Sequence, residues 1–126
     1  MMDRQRKLRD LDFGRFAEDK AAEYYISKGY AIRERNWRIG KIEIDIIAQI
    51  DTTVVFVEVK ARSGRDMDPL DAVSSDKMRR MARGADAYLR RLLGDFEYRY
   101  DIFTLTGDFK SYEINVYEDA FLSPLM

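Results

Sequence analysis

Apolar residues follow two different spacings along this chain, and the switch between them marks out its elements. Phe13, Phe16, Ala17, Ala21 and Tyr24 recur at helical intervals. Asp10 or Asp12 can cap that helix, after a basic, flexible start over residues 1–12, and Gly29 can end it. Tyr30 and Ile32 stand among charged residues and predict a strand over 30–37. Two alternating stretches follow, Ile42-Glu43-Ile44-Asp45-Ile46-Ile47 and Val54-Val55-Phe56-Val57-Glu58-Val59-Lys60, which read as a hairpin turning at Asp51-Thr52. Residues 61–74 are rich in turn formers and predict a loop. Ser74 or Ser75 then caps a second helix bearing Met78, Met81, Ala82, Ala85, Leu89 and Leu92, closed by Gly94. Residues 98–106 and 110–117 predict a closing strand pair around Gly107-Asp108. Helix, three strands, helix, two strands is the order of a single mixed α/β domain over residues 13–117: a five-stranded mixed sheet flanked by helices. Residues 118–126 form an unassigned tail.

The hairpin carries charges where a sheet would present inert residues. Strict alternation puts Ile42, Ile44 and Ile46 on one face of the first strand, with Glu43 and Asp45 on the other. On the return strand Val55, Val57 and Val59 share one face, and Phe56, Glu58 and Lys60 the other. If Ile50 faces Thr53 across the turn, Asp45 falls opposite Glu58 and Glu43 opposite Lys60, with Cβ atoms roughly 4.5–5.5 Å apart. Two carboxylates that close repel, and one tends to hold a proton unless a cation sits between them. Lys60, one strand period from Glu58, reaches the same place.

Composition narrows the chemistry. The chain has 126 residues, 46% of them hydrophobic and 36% charged, enough for one domain with a real core. It has no Cys and no His. That excludes disulfides, thiolate or imidazole metal sites, and Ser-His-Asp or Cys-His catalysis; acid–base work falls to carboxylates, Lys, Tyr or metal-bound water. The basic first residues are followed by no apolar stretch, and Val54-Val55-Phe56-Val57 is too short to cross a bilayer, so the expectation is a cytoplasmic protein without membrane contact. Net charge is −1, yet residues 1–94 hold 20 Lys/Arg against 16 Asp/Glu, and residues 95–126 hold 2 against 7. Local field steers a polyanion more than total charge does.

Each signal has a plain counterpart. Glu58 and Lys60 alone read as an ordinary cross-strand ion pair; Asp45 at a matching register shifts the balance toward a site. Glu18, with Ala21, Ala22 and Tyr25 as helical neighbours, is either a solvated flank charge or a half-buried functional acid. Lys77, Arg80 and Gly84 line one side of the second helix, as a solvated basic face or as phosphate contacts. Arg99 and Asp101 share a strand face and can pair with each other. Trp37 and the tyrosines read as packing groups.

The string Gly14…Glu18…Ala21-Ala22…Gly29-Tyr30…Arg35-Asn36-Trp37-Arg38, then Glu43-Ile44-Asp45-Ile46-Ile47 and Phe56-Val57-Glu58-Val59-Lys60-Ala61-Arg62, resembles the YraN-like family of small bacterial proteins. Pro69, Lys77 and Arg99-Tyr100-Asp101 fall at its weaker motifs. That family is similar to the restriction-endonuclease-like PD-(D/E)XK nucleases and, distantly, to archaeal Holliday-junction resolvases. The resemblance implies a restriction-endonuclease-like core, with Asp45 as the motif's aspartate, Glu58 its second acid, Lys60 its lysine and Glu18 the helix acid. Ile42 stands where the family often has glycine, and Ile44 replaces the superfamily's proline.

The function this implies is a Mg²⁺- or Mn²⁺-dependent nuclease acting on DNA, including structured or branched DNA. Asp45, Glu58, the Val59 carbonyl and Glu18 would hold the metal, and Lys60 would act on the water or the phosphate. Arg62, Lys77, Arg80 and Arg38 would contact the nucleic acid, and resolvase-like relatives add the expectation of a homodimer. A nucleic-acid-binding module without cleavage and a purely structural or interaction protein remain the alternatives.

Overall fold

The structure, a computed structural model, describes residues 2–63 and 74–120. Its sheet contains β1 (Ala31–Ile39), β2 (Ile42–Ile50), β3 (Thr53–Arg62), β4 (Glu97–Gly107) and β5 (Tyr112–Tyr117), laid side by side in chain order. β1, β2 and β3 form an antiparallel meander, β4 runs parallel to β3, and β5 returns antiparallel to β4. Parallel neighbours need a long crossover, and α2 (Ser75–Leu89) lies in that connection. α1 (Met2–Ser27) covers the opposite face. This is the mixed five-stranded sheet, flanked by helices, that the pattern predicts.

α1 starts near Met2 rather than at Asp10 or Asp12, which lie within the helix instead of capping it. Residues 2–12 contain no Gly or Pro and are rich in Arg, Lys and Leu, all good helix formers. Gly29 ends the helix at φ 93°, and the N–H of Tyr30 closes the last turn onto the Tyr25 carbonyl at 3.0 Å. Ser74, not Ser75, caps α2: its Oγ accepts the Lys77 N–H at 3.1 Å. Residues 64–73 of the predicted loop, Pro69 included, and residues 121–126 of the tail lie outside the described residues.

Two cores sandwich the sheet. Phe13, Ala17, Ala21 and Tyr25 of α1 pack on Ile46, Val55, Val57, Phe103 and Leu105. Met81, Ala82, Ala85 and Tyr88 of α2 pack on Ile44, Ile47, Val54 and Phe56. Gly84 lets α2 sit hard against β2, since a Cβ there would fall 2.9 Å from Ile42 Cγ2 and 3.1 Å from Ile44 Cδ1. Trp37 packs edge-on against Tyr88, a structural role as expected.

These clusters correct one expectation. Ile44 and Ile46, two residues apart, lie on opposite faces, whereas a regular strand would put them on the same face. β1 does the same: Arg35 pairs with Asp19 of α1, while Trp37 packs on α2's Tyr88. The pairs Arg35↔Ile46 and Trp37↔Ile44 flank the reversal, so it falls where Asn36 stands opposite Asp45. Asn36 has φ 51°, the left-handed conformation that Asn tolerates better than most residues. The face carrying Ile42 and Ile44 is therefore α2's, and Ile46 belongs to α1's.

Asp101 is fully buried and fully engaged. It accepts Tyr25 Oη–H at 2.7 Å, Arg99 Nε–H at 3.0 Å and the Asp119 N–H at 3.1 Å. The pairing of Arg99 with Asp101 is thus observed, extended to α1 and to the segment after β5.

Candidate active site

The hairpin register holds from Ile50↔Thr53 to Ile46↔Val57, as the turn at Asp51-Thr52 predicts. Asp51 itself takes φ 51°. The backbone ladder stops one step short of Asp45 and Glu58. Beyond it β2 and β3 part, and the Asp45 side chain bridges the gap: its Oδ2 accepts the Val59 N–H at 2.8 Å. Glu43 is consequently not opposite Lys60. It is paired in register with Arg38 on β1 and bound to it at 2.8 Å.

Asp45 and Glu58 nevertheless converge. Asp45 is pushed up to about 7, first by burial and then by the negative charge of Glu58, with Glu18 adding to the effect. The Val59 N–H and the Lys77 ammonium work against that rise. Glu58, buried at the end of the β2–β3 ladder, receives two lysines on the same oxygen: Lys60 Nζ lies 3.0 Å from Oε1, and Lys77 Nζ is paired to that atom too. Burial, followed by the neighbouring Lys77, lowers the Lys60 pKa. Burial, the largest influence, opposes the charge on Lys77, but its bond to Glu58, its contact with Lys60 and the charges of Glu58 and Asp45 together outweigh this and the net shift is upward.

The site therefore joins Asp45, Glu58, Lys60 and Lys77, with Glu18 half-buried on α1 and acting on Asp45 through its charge. Arg38 and Arg62 are not drawn in. Arg38 is engaged by Glu43, and Arg62, two residues beyond Lys60, turns Nη1 onto the Ala61 carbonyl at 3.1 Å. Arg80 is exposed but lines a cleft of about 180 Å³ with Lys41, Glu43, Glu58 and Lys77. The contact of Lys77 with Glu58 went unread in the sequence, although a signal was present. Lys77 shares a helical face with Met81, Gly84 and Tyr88, all buried, and so points toward the sheet.

The donors suit a hard divalent cation. Among the described residues, no hydrogen bond or ion pair uses Asp45 Oδ1 or Glu58 Oε2. These oxygens belong to two carboxylates, half-buried Asp45 and buried Glu58, whose repulsion a cation would relieve. No group of three or more acidic side chains is gathered for a metal among the described residues. Mg²⁺ needs only one or two carboxylates, keeping water and substrate phosphate for its other positions. The Val59 carbonyl, on the same strand edge as the N–H that Asp45 holds, would supply a further oxygen.

Fold and site together define an α/β protein of restriction-endonuclease-like architecture with an acidic pair and two lysines at a splayed strand junction. The model of the family described as "Uncharacterised protein family UPF0102" matches residues 17–105, from within α1 into β4, and this chain belongs to that family. A UPF0102 protein of Phocaeicola vulgatus is 44% identical over 115 residues, covering 90% of this chain and 95% of its own. One from Flavobacterium psychrophilum is 40% identical over 111 residues (87% and 93%), and one from Prosthecochloris aestuarii 38% over 118 (87% and 93%). The matched span contains Glu18, Asp45, Glu58, Lys60 and Lys77. No helix among the described residues is long and apolar enough to cross a membrane.

Proposed function

We propose that this protein hydrolyses phosphodiester bonds in DNA with Mg²⁺ or Mn²⁺. The observation that carries this reading is the convergence of half-buried Asp45 and buried Glu58 beside Lys60, each acid with one oxygen unengaged among the described residues. Asp45, Glu58 and the Val59 carbonyl would hold the ion, and Glu18 would reach it through water. When bound, the ion would lower the pKa of a coordinated water and neutralise charge developing on the phosphate. Lys60 is placed by the sheet, with its side chain only 13% exposed. An ammonium so desolvated offsets the charge that grows on the phosphate oxygens far better than one in water would. Lys77 and Arg80 would hold the nucleic-acid backbone.

One observation favours a second reading, a DNA-binding module that does not cut. Glu58 is already neutralised by Lys60 and Lys77, so the pocket is electrostatically satisfied by protein groups alone. Incubation with flapped, nicked, four-way and single-stranded DNA plus Mn²⁺, with Lys60→Ala as control, separates the two. Cleavage by the wild type and not by the variant supports the enzyme. Survival of every substrate while the protein is folded ends that reading, and salt-sensitive binding without cleavage leaves the module.

A further inference from the structure

We infer that the cleft between the β1–β2 turn and α2 is a phosphate subsite whose occupation draws Lys77 off Glu58, so that DNA and divalent metal bind cooperatively. This rests on the nuclease reading and adds to it an order of assembly. Two carboxylates, Asp45 and Glu58, face two ammonium groups, Lys60 and Lys77. With both acids ionised their charge is cancelled by the two ammonium groups, and Glu18 on α1 adds one negative charge from farther off. A divalent cation entering this half-buried place adds two positive charges that Glu18 alone does not offset, a costly excess where the dielectric is low. Metal therefore binds weakly until anionic charge arrives with it or a lysine leaves.

The cleft supplies both. Lys41, in the β1–β2 turn, and Arg80, one turn along α2 from Lys77, are exposed and line it beside Glu58 and Glu43, the latter paired with Arg38. Neither Lys41 nor Arg80 has a hydrogen-bond or ion-pair partner among the described residues. A phosphate seated between them offers Lys77 a second acceptor within swing of its four-carbon stem. Lys60, held on the sheet and more buried, stays. Glu58 then sheds one of its two cations as negative charge enters, and with Asp45 would be freer to hold the ion. Lys77 is thus a positioning residue that exchanges a protein carboxylate for substrate phosphate.

The test is calorimetric Mn²⁺ binding to the full chain, with and without a phosphorothioate-linked DNA hairpin that resists hydrolysis. Wild type is expected to bind Mn²⁺ at least about 10-fold more tightly with the hairpin present, and by reciprocity the hairpin more tightly with Mn²⁺. Lys77→Met, nearly isosteric and uncharged, is expected to bind Mn²⁺ without DNA about as tightly as wild type does with it, leaving little coupling. Arg80→Ala, at an exposed position that spares folding, should keep the DNA-free Mn²⁺ affinity and lose much of the coupling. Unchanged Mn²⁺ affinity in Lys77→Met, or full coupling in Arg80→Ala, would overturn the inference while leaving the nuclease reading intact. Absence of Mn²⁺ binding in every protein, or binding that survives Asp45→Asn, would overturn both.

Discussion

Oδ2 of Asp45 accepts the Val59 N–H at 2.8 Å, so a side chain of β2 completes the strand pairing where its backbone no longer reaches β3. The same carboxylate is pushed from 3.8 to about 7, chiefly by burial and then by Glu58. The native state thus keeps a proton that the unfolded chain gives up near pH 4. Across that window the folded protein binds more protons, and the group's contribution to stability falls as pH rises from about 4 through about 7. The slope is about 1.4 kcal/mol per pH unit where the proton is held. Asp45→Asn keeps an acceptor for Val59 but abolishes this slope, so in the absence of metal it is expected to exceed wild type in stability at pH 8. Urea unfolding of both proteins at pH 5 and pH 8 checks it, and parallel pH dependences would refute the assignment.

Lys60→Ala is expected to lower DNA cleavage by about 10²–10³-fold, the usual cost of losing one preorganised stabilising group. Lys77 remains on Glu58 in that variant, so the fold should persist, and Mn²⁺-induced stabilisation, which depends on Asp45 and Glu58, should persist with it. Thermal melting with and without Mn²⁺ reports the second part, and Asp45→Asn should show no Mn²⁺ response. Loss of the Mn²⁺ response in Lys60→Ala would mean that the lysine is structural.

Gly84 sets the distance between α2 and β2, and Val there would drive a branched Cβ into Ile42 and Ile44. Gly84→Val should destabilise the protein by about 1–3 kcal/mol, as overpacking does. It should also weaken DNA binding, because Lys77 and Arg80 ride on the displaced helix. Unfolding curves and a DNA titration measure the two effects, and an unchanged fold with unchanged affinity would contradict the packing described.

The Tyr25–Asp101–Arg99 network joins α1 to β4 without touching the site. Tyr25→Phe removes one of several donors to Asp101 and should cost about 1–3 kcal/mol. Asp101→Ala strips Arg99 of its buried partner and should cost more, about 3–5 kcal/mol. Denaturant midpoints rank the two, and the reverse order would mean that Arg99 is satisfied elsewhere.

Local physics made much of this legible in the sequence. The Asp51-Thr52 turn sets a register that runs outward without slippage to Val57, and Ser74 announces its helix with its own hydroxyl. Asp45 and Glu58 were placed side by side by counting alone. Counting failed where a backbone torsion intervened: nothing in the alternation of β2 reveals that a left-handed residue on β1 reverses both strands. Long-range partners were equally hidden. Tyr25 and Asp101 lie 76 residues apart, and no periodicity links them. The start of α1 was misplaced because Asp10 and Asp12 are good caps in isolation, while the residues before them are better helix formers than a charged, frayed start suggests.

The reversal at Asn36 gives that residue an influence its neutral, uncharged amide would never advertise. A substitution to valine would penalise one torsion in β1, and the penalty would be felt across the strand boundary as a rotated carboxylate. The Asp45–Glu58 cluster can in this way be altered from a position outside it. In comparing relatives, the amino acid at this corner is as informative about competence as the acids themselves.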